Sequence, residues 1–331
     1  MNWVAVDLGA STIKASVLDK SNKPIRLSYP MGNYATTLLS SVVVVTENGN
    51  VLIGDYASQI GVINPNMKVR DWLNSTNKTL IARAIFNTIK EASIKHYNKT
   101  NVGIVLLNNN IVDSELMSVA KTVFSEAQTM SVGEVIKSII SPNSNLMLIA
   151  DFGESAFRVT MQEKTKCLYQ NVNSSLGFSS FDMLSVIDCD DASSHRSIER
   201  SLLGQMMQRI KIMVNNGDDV VLPNNMSAKG NSLSSSFEQK MTTFLYQCFE
   251  ECTNALKSSS KTWENVDEVV FIGGGAHSNI MDTIFEKYMM QSHCTLVSYN
   301  SKNRGFDAQY ATTNCAIQMP LRTNTGVIIK Y

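Results

Sequence analysis

Asp7, Gly9 and Lys14 stand in the opening stretch VAVDLGASTIKASVLD (4–19), where an apolar run stops for a carboxylate, a bend of small residues (Gly9, Ala10, Ser11, Thr12) and one lysine. The same form returns in LMLIADFGESAFRVTMQ (146–162), where Asp151 closes an apolar run and Gly153 follows, each 144 positions after Asp7 and Gly9. A carboxylate at a strand end, followed by glycine and small hydroxyl residues, suits a nucleotide phosphate site. Glycine lets backbone N–H groups approach anionic oxygens with no Cβ in the way. Two such turns facing each other would grip phosphates from both sides. Their aspartates would hold hydrated Mg²⁺, which prefers one or two carboxylates plus water and phosphate oxygens, and Lys14 would add a point charge. A third segment, VDEVVFIGGGAHSNIMDTIFEKY (266–288), sets Gly273, Gly274 and Gly275 between a strand and a helix. There backbone can close on a ligand, and the helix N-terminus is positive. One D-x-G turn is common in ordinary hairpins; two at matching strand positions with a late GGGA turn carry the weight.

These residues need elements to hold them. Both D-x-G segments resume an alternating apolar pattern after the turn, so each reads as a β-hairpin with its turn at the chemistry. SSVVVVTENGNVLIGDYA (40–57) reads as two strands joined at Asn48-Gly49. Residues 78–97 have helical periodicity, 101–108 form a buried strand, and a helix is expected near 113–128. In the second half, 197–214 and 237–257 are amphipathic helices, the latter with Phe237, Met241, Phe244, Cys248, Cys252 and Ala255 on one stripe. Residues 188–196 and 222–236 read as polar loops. Strands alternating with helices argue for α/β layers.

The chain's 331 residues suit two domains of roughly 150 residues each, and 44% hydrophobic content suffices for real cores. Lys+Arg and Asp+Glu both number 29, so no basic surplus argues for nucleic acid or an anionic membrane. No basic n-region precedes the first apolar run, and no apolar stretch approaches the ~18 residues of a membrane span. A cytoplasmic protein is expected. The six cysteines include no C-x-x-C pair, and the four histidines show no ligand spacing. Cys248 and Cys252, four apart on a helical face, are expected to pack.

With these residues in hand, the sequence resembles the actin/hexokinase/heat-shock ATPase superfamily, and most of all the nucleotide-binding domain of the 70-kDa heat-shock chaperones. VAVDLGAST resembles the first phosphate motif. SVVVVTENGNVLIGDYA and INPN (63–66) resemble the segment after it. DSELMSVAKTVFSEA (113–127) and SVGEV (131–135) resemble a helix and the first hinge region. IADFGESAF resembles the second phosphate motif, and SSLGFSSFD (174–182) the turn after it. The 237–257 helix with VDEVVFIGGGAHSN resembles the adenosine region, and DAQYATTNCAIQ (307–318) the second hinge helix. The resemblance implies two lobes, each with a ribonuclease-H-like mixed sheet and flanking helices. It divides the chain into a first lobe (1–145), a second lobe (146–306), and a returning hinge helix with tail (307–331). It also implies ATP or ADP with Mg²⁺ in a cleft, held by Asp7, Asp151, Gly9, Ala10, Ser11, Gly153, Gly177, Gln208, Lys211, Gly273, Gly274, Gly275 and His277. Lys14 stands where actins carry a phosphate-contacting lysine, and Glu134 would orient water or metal.

The chain also departs from that family. Where that family has three glycines and a threonine, the chain reads Gly153, Glu154, Ser155 and Ala156. Phe178 follows Gly177 where a second glycine is usual. Leu73 takes the place of the catalytic lysine, with Lys68 and Arg70 nearby. Ile212 and His277 replace two adenosine-binding arginines. Asn108 replaces a proline used in interlobe signalling, and no peptide-binding domain is expected from the residues after 318. These features lead to an ATP–Mg²⁺-binding, chaperone-like nucleotide switch with slow or absent hydrolysis, acting on an unidentified protein partner. The alternatives are a self-associating, actin-like filament ATPase, a small-molecule kinase of the same superfamily, and a binding module without hydrolysis. In the tail NTGVIIKY, Val327, Ile328 and Ile329 are expected to pack or to pair along a sheet edge.

Overall fold

A strand that is apolar on both faces must be covered on both, and so belongs at the centre of a sheet. In β1 (Asn2–Leu8), Trp3, Val4, Ala5 and Val6 are all buried. β1 belongs to the first of two compact units into which the chain divides, Met1–Ile140 with Tyr310–Tyr331; the second is Ser141–Gln309. The computed structural model describes residues 1–9, 12–31, 34–54, 57, 68–69, 72–108, 112–140, 142–153, 155–177, 187–188, 213, 218–222, 226–228, 235–277, 295–298, 308–319, 321–322 and 328–329.

In the first unit β1 pairs antiparallel with β2 (Thr12–Leu18), which pairs antiparallel with β3 (Pro24–Arg26). Val43–Val45 (β4) and Val51–Ile53 (β5) form the expected Asn48-Gly49 hairpin, with Gly49 at φ +76°. On its other side β1 pairs parallel with β6 (Val102–Asn108), and β6 with β7 (Ala127–Ser131). Leu39–Ser40 adds a sixth strand beside β2, so the main order is β7-β6-β1-β2-β3. Helix α1 (Lys78–Tyr97) buries Ile81, Ile85, Phe86 and Ile89 in the core. Tyr97 Oη at its end donates to Trp3 O and accepts from Leu18 N, tying β1 to β2.

Helix α2 (Ser114–Val123) is capped by Asp113, whose side chain accepts from Leu116 N. The helix expected near 113–128 is shorter than that. Phe124 turns to extended backbone and sets its ring edge-on to Phe86 at 6.3 Å, and the next residues join the sheet as β7. Sheet hydrogen bonding and a core aromatic override the helical pattern of FSEA. Helix α3 (Val132–Ile140) follows directly.

The second unit repeats the arrangement. β8 (Leu146–Phe152) pairs antiparallel with β9 (Phe157–Glu163), and β9 with β10 (Lys166–Asn173). β8 pairs parallel with β11 (Val266–Ile272), and β11 with β12 (Thr295–Ser298), giving the order β10-β9-β8-β11-β12. Helix α4 (Ser235–Ser258) packs on this unit with Phe244, Cys248, Cys252 and Leu256 buried. Tyr169 Oη and Asn171 Nδ2 of β10 donate to Glu251 Oε2 of α4 at 2.7 and 3.1 Å. The helix expected at 197–214 lies, but for Met213, outside the described residues. The polar loops expected at 188–196 and 222–236 are not wholly irregular: Ile187–Asp188, Val220–Leu222 and Met226–Ala228 pair as a small antiparallel sheet.

Helix α5 (Ala311–Ala316) belongs to the first unit and packs on α3, β1 and β2. Beyond it, Ile328–Ile329 pairs antiparallel with Leu321–Arg322, a ladder within the chain; Val327 lies outside the described residues. Both units are thus mixed α/β, each with a mixed sheet and packed helices. No helix among the described residues is long and apolar enough to cross a membrane.

Candidate functional site

The two D-x-G hairpins share one register. Leu8 pairs with Ile13 and Phe152 with Phe157, so each hairpin spans four residues between its last paired positions. One step back, Asp7 stands opposite Lys14, and Asp151 stands opposite Arg158. Lys14 Nζ lies 3.5 Å from Asp7 Oδ2, and Arg158 Nη1 lies 3.1 Å from Asp151 Oδ2. All four side chains are only 13–16% exposed, so each pair is largely shielded from water. Each central strand therefore ends in a carboxylate and a cation, largely shielded from water and beside a glycine turn.

The turns themselves are close-fitting. At Gly9 a Cβ would stand 2.5 Å from Thr12 O, and Ser41 Oγ donates to Gly9 O at 2.6 Å. Gly153 N donates to Ala156 O at 3.0 Å. Ala10 and Ser11, assigned to the first turn, lie outside the described residues, as does Glu154 in the second.

Asp7 has a further contact: Thr312 Oγ1 of α5 donates to its Oδ2 at 3.4 Å. The next residues of α5 hold the hairpin as well. Ser16 Oγ lies 2.7 Å from Thr313 Oγ1 and donates to Asn314 Oδ1 at 2.7 Å. Beside Asp151 the corresponding place is taken by backbone. Gly273 follows β11 at φ +90°, and a Cβ there would lie 2.5 Å from Phe152 O and 2.7 Å from Asp151 Oδ1. Gly275 is equally constrained, since a Cβ would lie 2.5 Å from the Phe152 ring. That ring packs edge-on to Phe157 at 5.6 Å, and Phe157 to Phe244 of α4 at 5.8 Å.

The sequence assigns all three glycines to ligand approach. The structure divides them: Gly273 and Gly275 fit the turn against β8, and Gly274 alone has no atom within 4 Å of a notional Cβ. The expected helix after the turn starts as a short 3₁₀ segment, Gly274–His277, and its continuation lies outside the described residues.

The other assigned residues are more scattered. Gly177 is buried at the end of the 3₁₀ turn Ser174–Leu176, in extended backbone at φ −66°. Glu134 is partly exposed in the first turn of α3, where a carboxylate suits the positive helix end. Among the described residues, the side chains that meet Asp7 are Lys14 and Thr312. Gln208 and Lys211 lie outside the described residues, as do Arg70 and the side chains of Lys68 and His277. Leu73 packs partly buried against the first unit's core. Cys248 and Cys252 are buried free thiols; burial pushes Cys248 up to about 11 and raises Cys252 further, which suits packing residues.

Two residues of this constellation escape a reading of the sequence by motif. Thr312 sits in the segment that resembles the second hinge helix, where nothing in the sequence marks it as a partner of Asp7. Arg158 was signalled: DLGASTIK and DFGESAFR both carry a basic residue seven places after the aspartate. Set against known families and curated proteins, the sequence matches no family model and no curated protein.

Proposed function

We propose that the chain is an ATP–Mg²⁺-binding nucleotide switch of the actin/hexokinase/heat-shock ATPase type, with both hairpins serving one nucleotide and with slow or absent hydrolysis. The observation that carries this reading is the duplicated hairpin. Two sheets of the same strand order each end their central strand in an aspartate–cation pair at the same register. In both sheets that order is three antiparallel strands followed by two parallel ones.

The residues present fit the nucleotide and its metal. Hydrated Mg²⁺ takes one or two carboxylates and draws its remaining ligands from water and phosphate. Asp7 and Asp151 are the residues that would hold it, and bound Mg²⁺ would neutralise phosphate charge. Lys14 and Arg158 offer cations at the turn ends, and the open position at Gly274 leaves room for a ligand to approach backbone.

Phosphoryl transfer rests on positioning and charge stabilisation. Leu73, set against apolar core, brings no cation to that chemistry. Hydrolysis is therefore expected well below the ~10 s⁻¹ of a median enzyme. What remains should fall further in Lys14→Ala; equal turnover by that variant at saturating ATP would remove Lys14 from the site. Calorimetry with ATP, ADP and GTP, with and without Mg²⁺, tests binding itself. Asp7→Asn should weaken Mg²⁺-dependent binding more than Mg²⁺-free binding.

A second reading, an actin-like filament ATPase, is favoured by Lys14 standing directly across the strand pair from Asp7. ATP-dependent light scattering separates the two. Assembly on adding ATP supports the filament; a constant monomer mass leaves the switch acting on a protein partner.

A further inference from the structure

Arg158 and Lys14 occupy the same place in two hairpins of identical register, and Arg158 is bound more closely to its aspartate, at 3.1 Å against 3.5 Å. Its partner Asp151 cannot serve two cations fully at once. A guanidinium hydrogen-bonded to a carboxylate oxygen occupies a lone pair that a hydrated metal would use, and its positive charge repels that metal. The two arrangements therefore compete. Phosphate resolves the competition, because the planar guanidinium matches phosphate oxygens as well as it matches a carboxylate.

We propose that Arg158 is the phosphate-binding cation of the second hairpin, held on Asp151 in the empty protein and transferred to nucleotide phosphate on binding, which frees Asp151 for the metal. This rests on the nucleotide reading above and goes beyond it, giving the second hairpin its own phosphate contact and a rule for the metal. Mg²⁺ and nucleotide phosphate enter this hairpin together, and Mg²⁺ alone does not displace Arg158. Asp151 thus opposes phosphate binding in the absence of metal, by occupying the guanidinium, and favours it in the presence of metal.

Several features of the second hairpin support this assignment. The pair is shielded from bulk water, so each partner's charge is strongly felt by the other. The carboxylate's second oxygen, Oδ1, faces the backbone of Gly273, where a Cβ would come within 2.7 Å. Glycine at that position lets backbone lie close to that oxygen with no side chain in the way. The adjoining Gly274 leaves its own flank open.

The test is ADP binding by calorimetry, with EDTA and with Mg²⁺, on the full chain. Without metal, Arg158→Gln should lose roughly tenfold or more in ADP affinity, as expected for one charge-assisted contact. Arg158→Lys, which keeps the charge but not the planar fork, should lose less than Arg158→Gln. Asp151→Asn should bind metal-free ADP more tightly than the parent while losing the gain that Mg²⁺ brings. A purely structural ion pair predicts no such reversal of sign. Mn²⁺ titrated alone, followed by electron paramagnetic resonance, should bind Arg158→Gln and not the parent. The proposal is overturned if Arg158→Gln binds metal-free ADP like the parent, or if Asp151→Asn binds it more weakly. Should Arg158→Gln not fold, Asp151→Asn and Arg158→Lys decide it. If the parent binds neither ADP nor ATP, the nucleotide reading itself fails. If the parent binds and Arg158→Gln matches it, only this assignment fails.

Discussion

The first and second hairpins have the same register and the same aspartate–cation pair, yet different third partners. Asp7 receives a hydroxyl from Thr312, on a helix that also grips Ser16 through Thr313 and Asn314. Asp151 lies against Gly273, where a Cβ would come within 2.7 Å of its Oδ1. The first carboxylate is thus tied to a helix side chain, and the second lies against backbone fitted around it. The contrast separates what the hairpin itself supplies, a shielded carboxylate with a cation opposite, from what each unit adds.

The largest expected effect breaks the glycine side of this comparison. Gly273→Ala meets both an unfavourable φ and a collision with Phe152 O, and should cost about 2–4 kcal/mol by denaturant unfolding. Gly274→Ala meets no atom and should leave stability nearly unchanged while weakening nucleotide binding. Equal stability losses would mean that the three glycines share one role.

Next in size are the ion pairs. Double-mutant cycles on Asp7 with Lys14 and on Asp151 with Arg158 should each give a coupling of about 1 kcal/mol, larger for the arginine pair with its shorter contact. A stronger coupling at Asp7 would show that Thr312 tightens the first pair beyond what its 3.5 Å separation conveys.

The smallest effect is a pH dependence with one carboxylate in each unit. The Leu116 N–H, with Lys78, holds the Asp113 carboxyl below its ordinary value, and the Tyr169 hydroxyl does the same first for Glu251. A carboxyl depressed in the folded state stabilises fully above its unfolded value of about 4, and that stabilisation is lost as pH falls through the folded value. Tyr169→Phe should therefore flatten part of the acid limb of stability against pH. Asp113→Ala should flatten another part and also remove a helix cap worth about 1 kcal/mol at neutral pH. Unchanged acid limbs would show that neither hydrogen bond persists in solution.

Much of this was legible in the sequence where the signal is local. The D-x-G hairpins, the Asn48-Gly49 turn and the 78–97 and 237–257 helices all follow from periodicity and turn chemistry. Residues 127–131 were not, because they become a strand only by pairing with β6, a contact no window of sequence contains. The site divides in the same way. Asp7 and Asp151 announce themselves by spacing, whereas Thr312 reaches Asp7 from the far end of the chain. Gly273 and Gly275 look like ligand glycines until Phe152 is seen against them. Arg158 lay in plain view seven residues after Asp151, but one basic residue in a strand carries no message until its register with the aspartate is known.

The central claim is that two equivalent hairpins serve one nucleotide. Calorimetric titration of ATP with Mg²⁺ into the parent, Asp7→Asn and Asp151→Asn measures this directly. The account predicts one ATP per chain, with either substitution alone weakening that same binding event in a Mg²⁺-dependent way. Two independent sites, an affinity indifferent to one aspartate, or no binding by the parent would contradict it.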